Sequence, residues 1–435
     1  MKCLVRCLAV ACVLGLARPV QAQFPGGLPG RDHLAAGIAY DQVERVVLAG
    51  DVVHYRFDLV VGPGPFDTIR IHRVVKEVEA GRPQPNMESV LLLAGAPQTF
   101  EGIFLPPAAL GVPVEEGSVA LFLASHGVDV WGMDYGWSLV PYPTADFAFL
   151  QGWGIDKEVR HITTALSVVR WLRVRSEQGN GPVHVLGFSY GGFLTWAVAS
   201  EDTQRPGNLK NVKGIIPVDG TAFKNNSASG RATSCASAAT AAAQLAAGTF
   251  VSDSSAGMLL GRLALEDPDG LSSLGLAALP PYFPAVPPGT LTNFQYPLGS
   301  NVRSLFLGGT YAASPPSVTT FYTDGSRFID LLANMPVYMP YQWNYDSAAS
   351  RCESADYPVA FDDHLGEVTV PILAIGRRQS PSTDASTRTA SADVTVVTLN
   401  PAMSPALYGH ADFFLANDAA TMVWQTILDW IVARK

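Results

Sequence analysis

The chain has little charge, few cysteines and no long apolar run. Asp, Glu, Lys and Arg make up 15% of its 435 residues, and the formal net charge is −9. An acidic chain without Lys/Arg clusters presents no electrostatic footprint for nucleic acid. The five cysteines stand in no Cys/His spacing that would hold structural zinc, and no Gly-rich loop ending in Lys-Ser/Thr points to phosphate transfer. The first apolar run, Leu8 to Ala17, is too short to span a bilayer, so no stable membrane anchor is expected.

That run lies between Lys2 and Arg6 on one side and Val20-Gln21-Ala22 on the other. This is the layout of a cleavable export signal, with residues 1–22 removed and the protein secreted or periplasmic. Losing Lys2, Arg6 and Arg18 takes the net charge from −9 to −12. Cys3, Cys7 and Cys12 leave with the signal. Cys235 and Cys352 remain as an even pair in an oxidising compartment and are expected to form a disulfide. Closing a loop of that size contributes ~4 kcal/mol by chain-entropy reasoning.

What is present is globular: 48% hydrophobic residues, with 40 glycines and 32 prolines that imply long loops. VVHYRFDLVV and FDTIRIHRVV, on either side of Gly62-Pro63-Gly64-Pro65, read as an antiparallel opening hairpin. Short continuous apolar runs follow at 89–94, 128–133, 183–186, 214–218, 371–375 and 394–399. Continuous rather than alternating hydrophobicity predicts strands buried on both faces, as in a parallel sheet. Between them, 156–175 places Val159, Ile162, Leu166 and Val169 on one helical stripe, and 418–433 does so with Val423, Ile427, Trp430 and Ile431. Strands alternating with helices predict an α/β fold. From 221 to 366 that rhythm breaks. An Ala-rich helical half gives way to Pro, Gly and aromatics, expected as an inserted cap that also contains Cys235 and Cys352. The expected organisation is therefore 1–22 signal, 23–220 first part of the core, 221–366 cap or lid, and 367–435 second part of the core.

The chemistry concentrates in Gly187-Phe188-Ser189-Tyr190-Gly191. A serine flanked by glycines two residues away, after a buried strand and before a helix, fits a tight strand-to-helix turn that exposes the hydroxyl at the end of a sheet. A serine hydroxyl needs a base. His410, in Tyr408-Gly409-His410-Ala411-Asp412, lies between the last strand and the last helix, from where a loop can reach the centre of a sheet. The other seven histidines read as packed or surface residues.

These features together resemble the α/β-hydrolase-fold serine esterases and lipases, over roughly 89–220 and 367–435. The resemblance implies a mostly parallel central sheet flanked by helices, with a cap or lid insertion. It implies ester hydrolysis through an acyl-enzyme, with no cofactor and no metal. Ser189 is then the nucleophile and His410 the base. The oxyanion hole is formed by the amides of Tyr190 and, after the strand SVLLLAGAPQTF, of Ala96. Where the family often has His-Gly, this chain has Ala94-Gly95. The acid has two candidates. Gln379 stands where an acid is usual, and Asp384 follows on a Pro/Ser-rich loop; Asp219, at the end of the strand GIIPV, is the other and is preferred. The substrate class is an ester with apolar or aromatic groups, small or lipid-like. Amide or lactone hydrolysis, acyl transfer, and a non-catalytic binding protein on the same scaffold are the alternatives.

Overall fold

The computed structural model describes residues 43–434 apart from 86, 108–112, 221–223, 225–226, 378–387 and 400–406. The expected export signal therefore lies outside the described residues. Among those described, ten strands join one sheet. They are β1 (Glu44–Ala49), β2 (Val52–Val60), β3 (Thr68–Glu79), β4 (Arg82–Pro83), β5 (Glu88–Leu93), β6 (Val128–Asp134), β7 (Val183–Phe188), β8 (Val212–Val218), β13 (Ile372–Arg377) and β14 (Val394–Leu399). The order across the sheet is β1-β2-β3-β6-β5-β7-β8-β13-β14, with β4 added to β3. From β6 through β14 every pairing is parallel, while β1, β2 and β3 pair antiparallel and carry the opening hairpin.

Both faces of the parallel part are covered. Along β5, Val90 and Leu92 enter one apolar cluster, with Phe100, Phe104 and Trp424. Leu91 and Leu93 enter the other, with Trp131, Trp137 and Trp196. Successive side chains point to opposite faces, so a strand that feeds two clusters must be apolar at every position. β14 departs from this expectation. Its residues are mostly exposed, because it ends the sheet and pairs only with β13. A run such as VTVVTL does not record which strand lies at an edge.

The helices on the chain before β8 are α1 (Phe100–Ile103), α2 (Val114–Gly117), α3 (Val119–Ser125), α4 (Ile155–Arg175) and α5 (Tyr190–Asp202). The expected stripe of α4, Val159, Ile162, Leu166 and Val169, is buried. Between β8 and β13 come α6 (Ala228–Ala246), β9 (Val251–Asp253), α7 (Ser255–Glu266), α8 (Gln295–Arg303), β10 (Gly309–Ala313), β11 (Pro316–Thr320), α9 (Gly325–Asn334), β12 (Tyr338–Pro340) and α10 (Gln342–Cys352). Their strands form two small separate sheets, β10-β11 and β12-β9. Cys235 on α6 is disulfide-bonded to Cys352 on α10. This segment also reaches back to the sheet's helices: Asp346 on α10 accepts a hydrogen bond from Ile155 N (2.7 Å). That amide opens α4 and has no partner within its own helix. α11 (Asp412–Leu415) and α12 (Gln425–Val432) close the chain.

Sheet register decides where the site forms. Leu93 pairs with Gly187, Phe188 with Val218, and Val218 with Ile375. The carboxyl ends of β5, β7, β8 and β13 therefore stop nearly level, and the residues that follow each strand emerge side by side.

Candidate active site

Ser189 follows β7 directly, with φ 55° and ψ −112°. A non-glycine residue rarely occupies that region, and such strain clusters at functional sites. The flanking glycines are steric requirements. A Cβ on Gly187 would lie 2.0 Å from Gly191 O, and one on Gly191 would lie 2.0 Å from Leu93 O. β7, α5 and the end of β5 are in contact at the turn, and any side chain there would push them apart. Tyr190 begins α5, so its N–H belongs to the first turn, where amides lack intrahelical partners and carry the positive end of the helix dipole.

The loop after β5 closes on the same point. A Cβ on Gly95 would lie 3.0 Å from Ser189 Cβ, so the residue before Ala96 packs against the nucleophile. The loop turns through a cis Ala96–Pro97 bond, with Gln98 N donating to Gly95 O (2.9 Å). Tyr135 donates its hydroxyl hydrogen to Ala94 O (2.9 Å) and ties the loop to the chain after β6.

His410 and Asp219 meet. His410 Nδ1 and Asp219 Oδ2 are 2.5 Å apart, and Asp219 stands at the end of β8 with φ 41°. The alternative acid, Asp384, lies outside the described residues. Arg377 Nε donates to Asp219 Oδ2 (2.8 Å) and Arg377 N to Oδ1 (3.2 Å). Burial works against the Asp219 charge, but the His410 hydrogen bond and charge and the Arg377 guanidinium outweigh it and hold the carboxyl below its usual range. The His410 ring also packs on Phe188, the residue before the serine, with centroids 4.5 Å apart. The Ser189 hydroxyl itself makes no hydrogen bond among the described residues. Serine–base contacts are often loose without substrate and tighten in the complex.

Two supporting residues escaped sequence reasoning. Asp412, in the Gly-His-Ala-Asp stretch, accepts from Gly409 N (2.6 Å), Gly308 N (2.7 Å) and Thr323 Oγ1 (2.5 Å). His410 N and Ala411 N donate to Leu305 O (3.1 Å) and Phe306 O (2.8 Å). The histidine loop is therefore clasped by the segment between β8 and β13. Arg377, the last residue of β13, anchors the same segment through Nη1 to Leu305 O (2.8 Å). Nothing in the local sequence around Arg377 signals a partner 158 positions away.

No protein-family model matches the chain, and no curated protein does so. Solved structures do. A provisionally named lipase from Sulfolobus solfataricus superposes with a TM-score of 0.62 at 18% identity, over 91% of this chain and 100% of its own. The chain has the α/β-hydrolase fold. The monoacylglycerol lipase of Paleococcus ferrophilus covers 81% of this chain and 97% of its own at 11% identity and a TM-score of 0.41. A soluble variant of the monoglyceride lipase of Saccharomyces cerevisiae covers 94% and 98% at 12% identity and 0.40. Those two are too distant to add to the fold assignment.

On this α/β-hydrolase scaffold the opening hairpin carries a buried polar chain that the sequence reading set aside as packing. Asp134 Oδ1 accepts from Phe100 N (2.6 Å), at the start of α1 and just beyond the Ala96 loop. Its Oδ2 lies 3.1 Å from His72 Nε2, and His72 Nδ1 lies 3.0 Å from His54 Nε2. With Glu101 the two histidines place three ligand-type atoms within 4.8 Å of one another. The His54 and His72 rings lie in nearly parallel planes, 10° apart, with centroids 5.2 Å apart, and both nitrogens of His72 have partners, Asp134 and His54. The chain of contacts ties the hairpin to the start of α1. A cavity of about 640 Å³ lies between α1 and α9, lined by Thr99, Glu101, Gly102, Arg327 and Leu331 among others. Neither Ser189 nor His410 lines it, so it adjoins the Ala96 loop without covering the nucleophile.

Proposed function

We propose that the protein is a serine hydrolase of carboxylic esters. The observation that carries this reading is the His410–Asp219 pair, hydrogen-bonded at 2.5 Å, at the carboxyl ends of the central strands where the strained Ser189 turn emerges. Asp219 holds Nδ1–H of the imidazole, which leaves Nε2 with a lone pair for the serine proton. Ser189 Oγ gives its proton to His410 Nε2 as it bonds to the ester carbon, and the carbonyl oxygen becomes the oxyanion. The amides of Tyr190 and Ala96 donate to it; losing one such donor raises the barrier by about 3 kcal/mol. His410 returns the proton to the departing alcohol as the C–O bond breaks. Water then repeats the cycle on the acyl-enzyme, and Ser189 is regenerated.

The Sulfolobus solfataricus structure, provisionally named a lipase, supports an ester as substrate. Residues 221–366 act as a cap over the site, and their aromatic content favours apolar or aromatic acyl or alcohol groups, small or lipid-like. Export through residues 1–22, to a secreted or periplasmic location, agrees with the Cys235–Cys352 bond. A fluorophosphonate probe tests the reading. The wild type is expected to label, and Ser189→Ala, folded by circular dichroism, is expected not to. A folded wild type that resists the probe would overturn the enzyme and favour a binding protein on this scaffold.

A further inference from the structure

Arg377 is the last residue of β13, and its side chain is 30% exposed. Its guanidinium serves two neighbours at once. Nε donates to Asp219 Oδ2 (2.8 Å), the same oxygen that meets His410 Nδ1, and Nη1 donates to Leu305 O (2.8 Å). That carbonyl also accepts from His410 N (3.1 Å). The contacts close a cycle from the acid through the guanidinium to the loop carbonyl, then through the histidine back to the acid. Leu305 sits at φ 60°, a region a bulky residue rarely occupies, and the two bonds to its carbonyl help to hold it there. Phe306, the next residue, packs on the His410 ring with centroids 5.2 Å apart.

Among the described residues, the Asp219 carboxylate is ion-paired with His410 and Arg377 alone. The other charged group near the histidine is Asp412 on its own loop, bonded to Gly409 N, Gly308 N and Thr323 Oγ1. β7 and the 305–306 segment present Phe188 and Phe306 to the ring. The Arg377 charge favours the ionised carboxyl of Asp219. The same cation disfavours a second positive charge on the imidazole beside it. Building on the reading of Asp219 and His410 as acid and base, we infer that Arg377 is a positioning residue that couples the segment between β8 and β13 to the triad. Its guanidinium holds the acid and the histidine loop in one frame, and its charge keeps the imidazole free to take the serine proton as pH falls. A lysine would keep the charge but offers one ammonium in place of a planar fork with separated donors.

The test is the pH dependence of kcat/KM for p-nitrophenyl butyrate, whose acid limb reports ionisation of the base in the free enzyme. Arg377→Gln keeps the backbone N–H that donates to Asp219 Oδ1 and removes the cation. The imidazole then gains its proton more readily, so the acid limb is expected to lie about one pH unit above that of the wild type. Below the limb the variant falls a further ~10-fold behind. Its plateau is expected to be lower too, through kcat, because the histidine loop has lost a tie. Arg377→Met takes its place should the glutamine not fold. Arg377→Lys is expected to keep the wild-type limb and to show the lower plateau alone. Arg434→Gln is the control. Arg434 pairs with Asp393, just before β14, and the register of β13 with β14 sets that end away from Arg377, so the limb should stay in place. A limb unmoved in the neutral Arg377 variant, moved to lower pH, or moved equally in Arg434→Gln overturns the inference. So does loss of fold, by circular dichroism, in both neutral variants, which would make the residue structural. Any of these results beside wild-type turnover sinks this inference alone; no turnover of any ester by the wild type sinks the proposed function with it.

Discussion

Replacing Gly191 by alanine should damage the site in a way that follows from a single distance. The added Cβ would sit 2.0 Å from Leu93 O, 2.6 Å from Leu93 C and 2.9 Å from Ala94 O. A carbon does not approach a carbonyl oxygen much closer than 3.0 Å, so the start of α5 and the end of β5 must part by about 1 Å. Both neighbours are backbone, and no side chain can rotate away to make room. Overpacking of this kind costs about 1–3 kcal/mol. The functional loss should be larger. The end of β5 leads into Ala96, and the start of α5 carries Ser189 and the Tyr190 amide. The separation therefore moves one proposed oxyanion donor away from the other and from the nucleophile. A misplacement of that size costs on the order of 100-fold in rate. The assay is the second-order rate of fluorophosphonate labelling, run beside thermal melting. Gly207→Ala is the control, because its Cβ would meet nothing within 4 Å and its effect should stay within ~0.5 kcal/mol. A Gly191→Ala protein that melts with the wild type and labels at the wild-type rate would refute the steric account of the turn.

Two further outcomes are expected. Asp219→Asn keeps the shape of the acid but removes its charge from His410 and Arg377; kcat for a p-nitrophenyl ester should fall ~10³- to 10⁴-fold, while Asp384→Asn should change it little, and the reverse result would reassign the acid. Glu158 is fully buried, and desolvation, outweighing its bond from Trp153, pushes its carboxyl from 4.5 up to about 7. The folded state therefore holds a proton that the unfolded state releases between about pH 4.5 and 7, so stability is complete below that window and declines as pH rises through it. The loss amounts to roughly 3 kcal/mol, and it should appear as a fall in melting temperature between pH 5 and 8 that Glu158→Gln lacks; a wild type with a flat profile would contradict it.

Much of the architecture was legible in the order of residues. The runs at 89–94, 128–133 and 183–186 are apolar at every position because both faces of those strands are covered, and such a pattern needs no knowledge of the neighbours. The stripes of α4 and of the C-terminal helix were readable for the same reason: burial on one side imposes a 3.6-residue period. The Gly-Phe-Ser-Tyr-Gly turn was legible because each glycine answers a contact made within a few residues of the serine or at the strand beside it.

The residues that assemble around that turn were less visible. The sequence offered Asp219 and Asp384 as acids on comparable grounds, since a loop carboxylate and a strand-end carboxylate look alike without register. Pairing of Phe188 with Val218, and of Val218 with Ile375, brings Asp219 and Arg377 to the level of Ser189, and only the folded sheet contains that alignment. Asp412, Leu305 and Gly308 joined the site through hydrogen bonds spanning about a hundred positions, which no local pattern encodes. Local sequence thus determined which segments become strands, helices and the serine turn, because those depend on near neighbours and on burial periodicity. Tertiary structure alone decided which acid meets the histidine and what clasps its loop, because these depend on where distant backbones stop relative to one another.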